Sequence, residues 1–303
     1  MDSIPEQAHV SVLPEEVVHF LGSLEGTLLD CTVGRGGHSE KLLSSSDKLA
    51  IIGLDLDETN LAACRERLTP FGDRVRLEQA NFADLPGVLA HFGVPKVVGI
   101  LADLGVSSNQ IADPARGLSF DLDGPLDMRL DQRQKTTAAD LVNSLGEGEL
   151  ADLLYFQSQE PHSRKIAKRI CQVRRQGRIN STGMLARLVA SAVGENPDSH
   201  HGRIHPATRT FMALRMAVNR ELSSLEALLA AAPGVLEAGG RIAVISFHSG
   251  EDRIVKEDFK KRSAAGEYRL LTKKPITASD AERESNPRSR SAKLRVAERQ
   301  NSA

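Results

Sequence analysis

The sequence predicts an α/β fold, a doubly wound seven-stranded sheet with a helical domain inserted after the fourth strand. Short apolar runs alternate with segments of helical periodicity over the first part of the chain, as they do in βαβ units. The next run of parallel-strand type begins at Arg241, 138 positions after Asp103 closes the fourth run. That distance is too long for an ordinary crossover, so a domain is inserted there.

Four strands are predicted before the insertion. Three are short apolar runs followed by a glycine-rich turn or an acid, as is typical of buried parallel strands, and the third alternates apolar and charged residues. The runs are Thr27 to Cys31 with the turn Gly34 to Gly37, Leu49 to Leu54 closed by Asp55, Val75 to Glu78, and Val97 to Ala102 closed by Asp103.

The inserted domain is predicted to span residues 111–203, where Leu, Ile and Val recur at three- and four-residue spacing. Residues 1–110 and 204–303 then form the sheet domain. Apolar positions from Phe211 to Leu229 step by three or four residues and predict one amphipathic helix that ends at Pro233 and Gly234. The remaining strands are predicted at Arg241 to Phe247, Tyr268 to Thr272 and Ala292 to Ala297.

Composition excludes several classes of protein. The 303 residues carry 39 Lys and Arg against 40 Asp and Glu, so nucleic acid could bind only to a local basic patch. No apolar run approaches the length of a membrane span, and the N-terminus lacks the pattern of a signal peptide, so a cytoplasmic protein is expected. The three cysteines are far apart, which argues against a disulfide framework and predicts no metal site.

The turn after the first strand and the acid after the second predict a site for an adenosine ligand. Gly36 and Gly37 would let the backbone approach the ligand, and Asp55 would accept both ribose hydroxyls. Because the turn does not match G-x-G-x-x-G, an adenosyl ligand without a diphosphate is favoured over NAD, although such a turn can also serve only strand-to-helix packing. His38 could contact the ligand or cap the loop, and Phe82 could cover the adenine or belong to the core.

A second group of candidates follows the fourth and fifth strands. Asp103 lies at the carboxyl edge, where open α/β sheets bind ligands, and is the candidate catalytic residue. Phe247 and His248 offer a stacking surface for a flipped base. A Ser/His hydrolase would be the competing interpretation of Ser246 to Ser249, but the sequence contains no G-x-S-x-G elbow.

The insertion contains a basic segment. From Pro161 to Gly194 there are eight Lys and Arg residues and no acid. Such a segment either contacts nucleic-acid phosphates or is a solvated helix face. The candidates for RNA contact are Lys168, Arg169 and Arg175.

Read in order, several motifs resemble the ribosomal small-subunit RNA methyltransferase H family, also called MraW. They are His9 to Leu13, Gly34 to Ser39, Asp103 to Ser108, Asp123 to Arg129, His205 to Phe211, Ser246 to Ser249 with Glu251 to Lys256, and Asn286 to Arg288 with Leu294 and Arg295. The resemblance implies a class I methyltransferase sheet and N4-methylation of a cytidine in the decoding region of 16S rRNA, within the small ribosomal subunit, by S-adenosylmethionine. It implies cofactor contacts from Gly36, Gly37, His38, Asp55, Phe82, Asp103 and Gln110.

The same residues argue against three other chemistries. A dehydrogenase lacks its glycine motif here, and 2′-O-methylation would want a lysine near the fifth strand, where none lies between residues 169 and 255. C5-methylation of cytosine needs a cysteine nucleophile, and none ends the fourth or fifth strand. Methylation of an exocyclic amine remains, with Asp103 acting on the base, the cofactor or both, and a noncatalytic ribosome-assembly factor is the alternative from another class.

Overall fold

The computed structural model describes residues 10–196 and 205–301. The chain divides into two compact units, one made of Met1–Gly105 with Ser223–Ala303 and the other of Val106–Leu222. The sequence placed the first boundary after residue 110, and its second boundary, between residues 203 and 204, lies outside the described residues, as does His9 of the first motif. Among the helices that the structure describes, none is long and apolar enough to cross a membrane.

The first unit is built on a seven-stranded sheet in the order β3-β2-β1-β4-β5-β7-β6. The first five strands in this order are parallel, and β7 runs antiparallel to both β5 and β6. This confirms the predicted fold class. The strands are β1 (Gly26–Asp30), β2 (Leu49–Asp55), β3 (Val75–Gln79), β4 (Val97–Asp103), β5 (Leu236–Ser246), β6 (Tyr268–Leu270) and β7 (Lys293–Arg299).

Helices flank the sheet in the first unit and make up the second. In chain order they are α1 (Pro14–Leu21), α2 (Gly37–Ser45), α3 (Glu58–Leu68), α4 (Leu85–His91), α5 (Ser108–Ala112), α6 (Ala138–Ser144), α7 (Glu147–Ser158), α8 (Ser163–Val173), α9 (Thr182–Val193), α10 (Ala207–Val218), α11 (Glu221–Val235), α12 (Ser249–Ala264) and α13 (Asp280–Ser285). Short 3-10 helices lie at Thr69–Arg74, Phe82–Asp84, Pro114–Arg116 and Pro287–Ser291.

Both faces of the sheet are buried, which explains why its central strands are apolar throughout. Successive side chains of a strand point to opposite faces, so Leu28 and Leu29 belong to different core clusters. The cluster containing Leu29 packs against α4, α11 and α12, whereas that containing Leu28 packs against α1, α2 and α3. Because the apolar side chains of the strands are used for this packing, the candidate functional residues are the polar ones at the strand ends.

The prediction of one amphipathic helix from Phe211 to Leu229 is wrong, because this segment forms two helices, α10 and α11. Arg220, between them, has φ 53°, outside the helical region. Buried Asn219 ends α10: its Nδ2 donates to Met128 O at 2.8 Å, and its Oδ1 accepts from Leu130 N at 2.8 Å. Apolar periodicity continues through the break, so spacing alone could not reveal it. Helix α10 packs in the core of the second unit, together with α6 to α9.

Candidate functional site

Three aspartates end neighbouring strands at the carboxyl edge of the sheet. Asp30 ends β1, Asp55 ends β2 and Asp103 ends β4. Strands β2 and β4 flank β1 on opposite sides, so the chain reverses its winding direction at β1. Open α/β sheets bind ligands at such a switch point, outside the carboxyl ends of the strands. The topology therefore brings two of the predicted site residues, Asp55 and Asp103, to the edge where a ligand is expected.

Asp55 connects the glycine turn to the end of β2 by hydrogen bonds. Its Oδ2 accepts from Gly34 N at 3.0 Å and from Asn60 Nδ2 at 3.4 Å, and its Oδ1 accepts from Asp57 N at 2.8 Å. Burial raises the pKa of the Asp55 carboxyl to about 6, although these hydrogen bonds oppose the shift. A carboxylate has about four acceptor positions, so the two oxygens retain capacity for a ligand hydroxyl.

The glycines of the turn have a packing role that does not exclude a binding role. Gly36 has φ 84°, a left-handed conformation that favours glycine, and a Cβ there would lie 3.0 Å from Cys64 Sγ. A Cβ on Gly37 would collide with Ser11 Oγ. Gly36 is also the N-cap of α2 and supplies no side-chain cap, so the first-turn N–H groups of α2 are not capped in that way. Such a helix N-terminus favours an anionic group.

Asp103 is held by its backbone while one of its carboxylate oxygens is left without a hydrogen bond. Its N–H donates to Thr32 Oγ1 at 2.7 Å, and Oδ2 lies 3.4 Å from His38 Nε2. Oδ1 is buried and accepts no hydrogen bond among the described residues. His38 is 7% exposed, and neither of its ring nitrogens has a hydrogen-bond partner in the described part of the chain. Buried polar groups normally have partners, so both side chains fit a site that a ligand completes.

Asp30 is a site residue that the sequence analysis missed. It is 1% exposed, its Oδ2 accepts from Ser39 Oγ at 2.7 Å, and its Oδ1 accepts from Thr32 N at 3.2 Å. Burial raises the pKa of its carboxyl, and the Ser39 hydrogen bond partly offsets this. Asp30 thereby fixes both the start of the loop and the first turn of α2. The signal was present, since it ends a strand as Asp55 and Asp103 do.

The predicted aromatic contacts lie beside the strand ends. Phe82 begins a 3-10 helix just after β3. It is half-buried and packs against the core cluster containing Leu29. Phe247 follows β5 directly and is also half-buried. Gly105 has φ 111°, and a Cβ there would lie 3.5 Å from Phe247 Cδ2. The Phe247 ring therefore lies next to the loop that follows Asp103.

Two other predicted residues have capping roles in the structure. His248 is the N-cap of α12: its Nδ1 accepts from Glu251 N at 3.4 Å, and its Nε2 lies 3.2 Å from Glu251 Oε1. Gln110 belongs to the second unit, where it is 4% exposed and its Oε1 accepts from Ser107 N at 3.0 Å at the start of α5. Base stacking by His248 and cofactor contact by Gln110 stay predictions.

Arg288 is a second residue to which the sequence analysis gave no role. It lies in the 3-10 helix Pro287–Ser291, after Asn286, whose Nδ2 donates to Val10 O at 3.2 Å. Burial lowers the pKa of the Arg288 guanidinium, while the negative charge of Asp103 acts in the opposite direction. Arg288 thus interacts electrostatically with Asp103. The sequence feature that could have identified Arg288 is its place in the Asn-Pro-Arg motif. The spacing of residues along the chain did not connect this motif to the sheet edge.

A cysteine nucleophile is not available at the sheet edge. Cys31 directly follows β1 and is 2% exposed, and burial raises the pKa of its thiol well above the ordinary value. The nucleophile would be the thiolate, which this environment disfavours. Nor do the described residues bring together three or more His, Cys, Asp or Glu side chains as a metal site would require.

The basic segment places a charged face on α8, in the second unit. Ile166, Ala167 and Ile170 of this helix are buried, whereas Lys168 and Arg169 are exposed. Arg175, just beyond the helix, is exposed as well. Among the residues that the structure describes, none of these three cations forms an ion pair, although others of the segment do, such as Arg178 with Asp140 at 2.7 Å.

Comparisons with known proteins agree with the motifs. Residues 6–300 match the model of the MraW methylase family. A "Ribosomal RNA small subunit methyltransferase H" of Sorangium cellulosum is 49% identical over 294 residues, covering 97% of this chain and 91% of the relative. A protein of the same name from Synechococcus sp. (strain RCC307) is 50% identical over 294 residues, covering 96% and 95%. A solved structure titled as an rRNA methylase from Streptococcus thermophilus covers 95% of this chain and 94% of its own at 12% identity, with a TM-score of 0.40.

Proposed function

Because the chain belongs to the MraW methylase family, we propose that it methylates N4 of a cytidine in the decoding region of 16S rRNA, within the small ribosomal subunit. The chain is a methyltransferase, and its methyl donor is S-adenosylmethionine. The relatives' names, which specify small-subunit ribosomal RNA, support the RNA part of the proposal. The choice of base is supported by the chemistry of the sheet edge.

The residues at the switch point fit S-adenosylmethionine. Asp55 has unused acceptor capacity for a ribose hydroxyl, and the first turn of α2 offers N–H groups to the ligand's carboxylate. Phe82 follows β3, next to β2, where its ring would cover the adenine. When bound, S-adenosylmethionine supplies an electrophilic methyl group on a positively charged sulfur. Asp103 and His38 carry the polar atoms that lack hydrogen bonds in the described residues.

The observation that carries the choice of base is the buried Asp103 Oδ1 without a hydrogen bond. The N4 lone pair of cytosine is delocalised into the ring, so N4 is a poor nucleophile while its amine stays planar. Asp103 Oδ1 can accept an N4–H hydrogen bond, which favours a pyramidal nitrogen and stabilises the positive charge that develops on it. Methyl transfer to N4 would require this nitrogen to release a proton, and the Asp103 carboxylate would be the group that accepts it.

Phe247 is the best placed stacking partner for a flipped cytosine. Its ring lies beside Gly105, two residues after Asp103, so stacking would bring the base edge towards the Asp103 carboxylate. His248 is engaged with Glu251 at the start of α12, so Phe247 is the stronger candidate of the two.

A methyl-transfer assay tests the proposal. Small subunits isolated from cells that lack the protein would be incubated with the protein and labelled S-adenosylmethionine, and the modified nucleotide would be mapped. We expect label at N4 of one cytidine in the decoding region. Label on another base or position would refute the specificity, and RNA binding without any transfer would favour the assembly-factor alternative.

The basic face of α8 gives a prediction about RNA affinity. Replacing Lys168, Arg169 and Arg175 together by Gln should weaken RNA binding and reduce the slope of log affinity against log salt by about one unit, or slightly less, for each lost phosphate contact. Binding isotherms over a range of salt concentrations measure the slope. The same variant should bind S-adenosylmethionine with parental affinity, and an unaltered slope would make the segment a solvated face.

The raised pKa of Asp55 predicts how cofactor binding depends on pH. Because the ionised carboxylate is the better acceptor for ribose hydroxyls, binding favours the ionised form and lowers its pKa below the value of about 6 in the free protein. Affinity should therefore fall as the pH decreases through about 6 and should level off above it. Calorimetric titrations from about pH 8 to about pH 5 measure this. In Asp55→Asn the decrease should disappear; if it persists, a group other than Asp55 is responsible.

A further inference from the structure

The hairpin formed by α7 and α8 in the second unit contains a cleft of about 330 Å³. Tyr155 and Phe156 line it from the last turn of α7. The segment that leads into α8 supplies His162, and the first turn of α8 supplies Arg164 and Lys165. Asp152, one turn before Tyr155, places a single carboxylate at the same cleft. Aromatic, cationic and acceptor groups thus converge in one concave surface.

The two aromatic rings are unusually open to solvent. Phe156 is 72% exposed and Tyr155 is 53% exposed. No other Phe or Tyr in the described residues is exposed to this degree, although the chain has nine Phe and two Tyr. The rings contact each other edge to face, with centroids 5.5 Å apart. Neither ring is needed for the core of the unit, which is formed by the buried side chains of the same helices, such as Leu150, Leu154 and Ile166.

The charges around the cleft favour a polyanion over an apolar protein surface. Arg164 and Lys165 are exposed and form no ion pair with any residue that the structure describes. Lys168 and Arg169 extend this positive face by one further turn of α8. Phosphates would neutralise these cations, whereas a purely apolar partner would leave them buried without partners at a cost in binding free energy.

We propose that this cleft binds an unpaired nucleotide of the RNA substrate, with the base stacked on Phe156 and in edge-to-face contact with Tyr155, and the adjacent phosphates on Arg164 and Lys165. Proteins commonly hold single-stranded nucleic acid by this combination of stacking and phosphate contacts. Bases of a duplex are already stacked and paired, so their faces cannot reach the rings. Asp152 provides an acceptor for the amino or imino hydrogens of a base edge. The proposal rests on the proposed function and adds a single-stranded element to the RNA that the enzyme recognises.

The test compares variants of the full-length protein on two RNA probes, a short single-stranded oligoribonucleotide and a hairpin duplex of equal length. Phe156→Leu removes the ring but keeps an apolar side chain, and it should weaken single-strand binding about tenfold. Its salt slope should equal the parental slope, because stacking releases no counterions. Lys165→Gln should reduce the slope by about one unit or slightly less. Duplex affinity should not change in Phe156→Leu.

Leu122→Ala serves as the matched control, since Leu122 is an exposed apolar side chain of the same unit, 60% exposed, and does not line the cleft. It should bind both probes with parental affinity. If Phe156→Leu binds the single strand as well as the parent does, or loses duplex affinity equally, the proposal is wrong. If it binds free RNA normally but methylates intact subunits poorly, the cleft holds a protein partner, which also overturns the proposal.

Tyrosine fluorescence gives a readout that does not depend on affinity. The chain has no Trp and only two Tyr, and Tyr268 is 2% exposed, so Tyr155 is the tyrosine that a bound base can reach. Single-stranded RNA should quench the Tyr155 emission, and the Tyr155→Leu variant should show no such change. Saturating binding without quenching would contradict the proposal. It would leave the proposed methyltransferase function intact, because the methyl-transfer assay tests that function separately.

Discussion

Asp103→Ala should lower the single-turnover rate of methyl transfer by about 10²-fold or more at saturating S-adenosylmethionine and RNA. The substitution removes the buried Oδ1 that has no hydrogen-bond partner among the described residues. With that oxygen absent, nothing at the end of β4 would accept the N4–H hydrogen bond or stabilise the charge on nitrogen. Saturation separates this effect from cofactor binding, which Asp103 is also expected to support. A rapid-quench assay with labelled cofactor measures the rate.

The charge and the geometry of Asp103 can be separated with Asp103→Asn. Asn keeps one acceptor oxygen but loses the negative charge, so a purely geometric role predicts a modest loss and an electrostatic role predicts a loss close to that of Ala. Asp47→Ala is the matched control. Asp47 is exposed and precedes the amino end of β2, so it lies away from the carboxyl edge of the sheet. A parental rate in Asp103→Ala at saturation would exclude Asp103 from the catalytic apparatus.

The sheet could be predicted because each central strand leaves a local pattern in the sequence. Leu49–Asp55 and Val97–Asp103 are apolar runs closed by an acid, and both strands lie within one residue of their predicted ends. A strand buried on both faces has to be apolar throughout, so its limits can be read without knowledge of its neighbours. The acids at those limits located Asp55 and Asp103 for the same reason.

The break between α10 and α11 could not be predicted in this way. It depends on Asn219, whose side chain bonds with the backbone of Met128 and Leu130, about 90 positions earlier in the chain. Hydrophobic spacing reports which face of a helix is buried, and that face stays in phase across the break. An interaction between distant segments leaves no such local pattern.

Residues that act through another side chain were also difficult to predict. Ser39 Oγ, in the first turn of α2, donates to Asp30 Oδ2 at the end of β1 at 2.7 Å, and Arg288 interacts with Asp103 from the far end of the chain. For His248 the sequence showed a ring at a strand end but not its contact with Glu251, 3.2 Å away. Sequence position indicates that a residue is close to the site, whereas its partners decide whether the side chain is available.

Asp55→Ala should weaken S-adenosylmethionine binding by about 2 to 3 kcal/mol, or roughly 30- to 150-fold, as expected for loss of a charged hydrogen-bond acceptor. Part of this loss could come from the turn itself, because Asp55 also accepts from Gly34 N at 3.0 Å and Asp57 N at 2.8 Å. A 2′-deoxyribose analogue of S-adenosylhomocysteine separates the two contributions in a calorimetric cycle. The parent should bind the analogue more weakly than S-adenosylhomocysteine, and Asp55→Ala should bind the two ligands almost equally. If the variant discriminates between them as strongly as the parent does, Asp55 supports the turn and does not contact the 2′-hydroxyl.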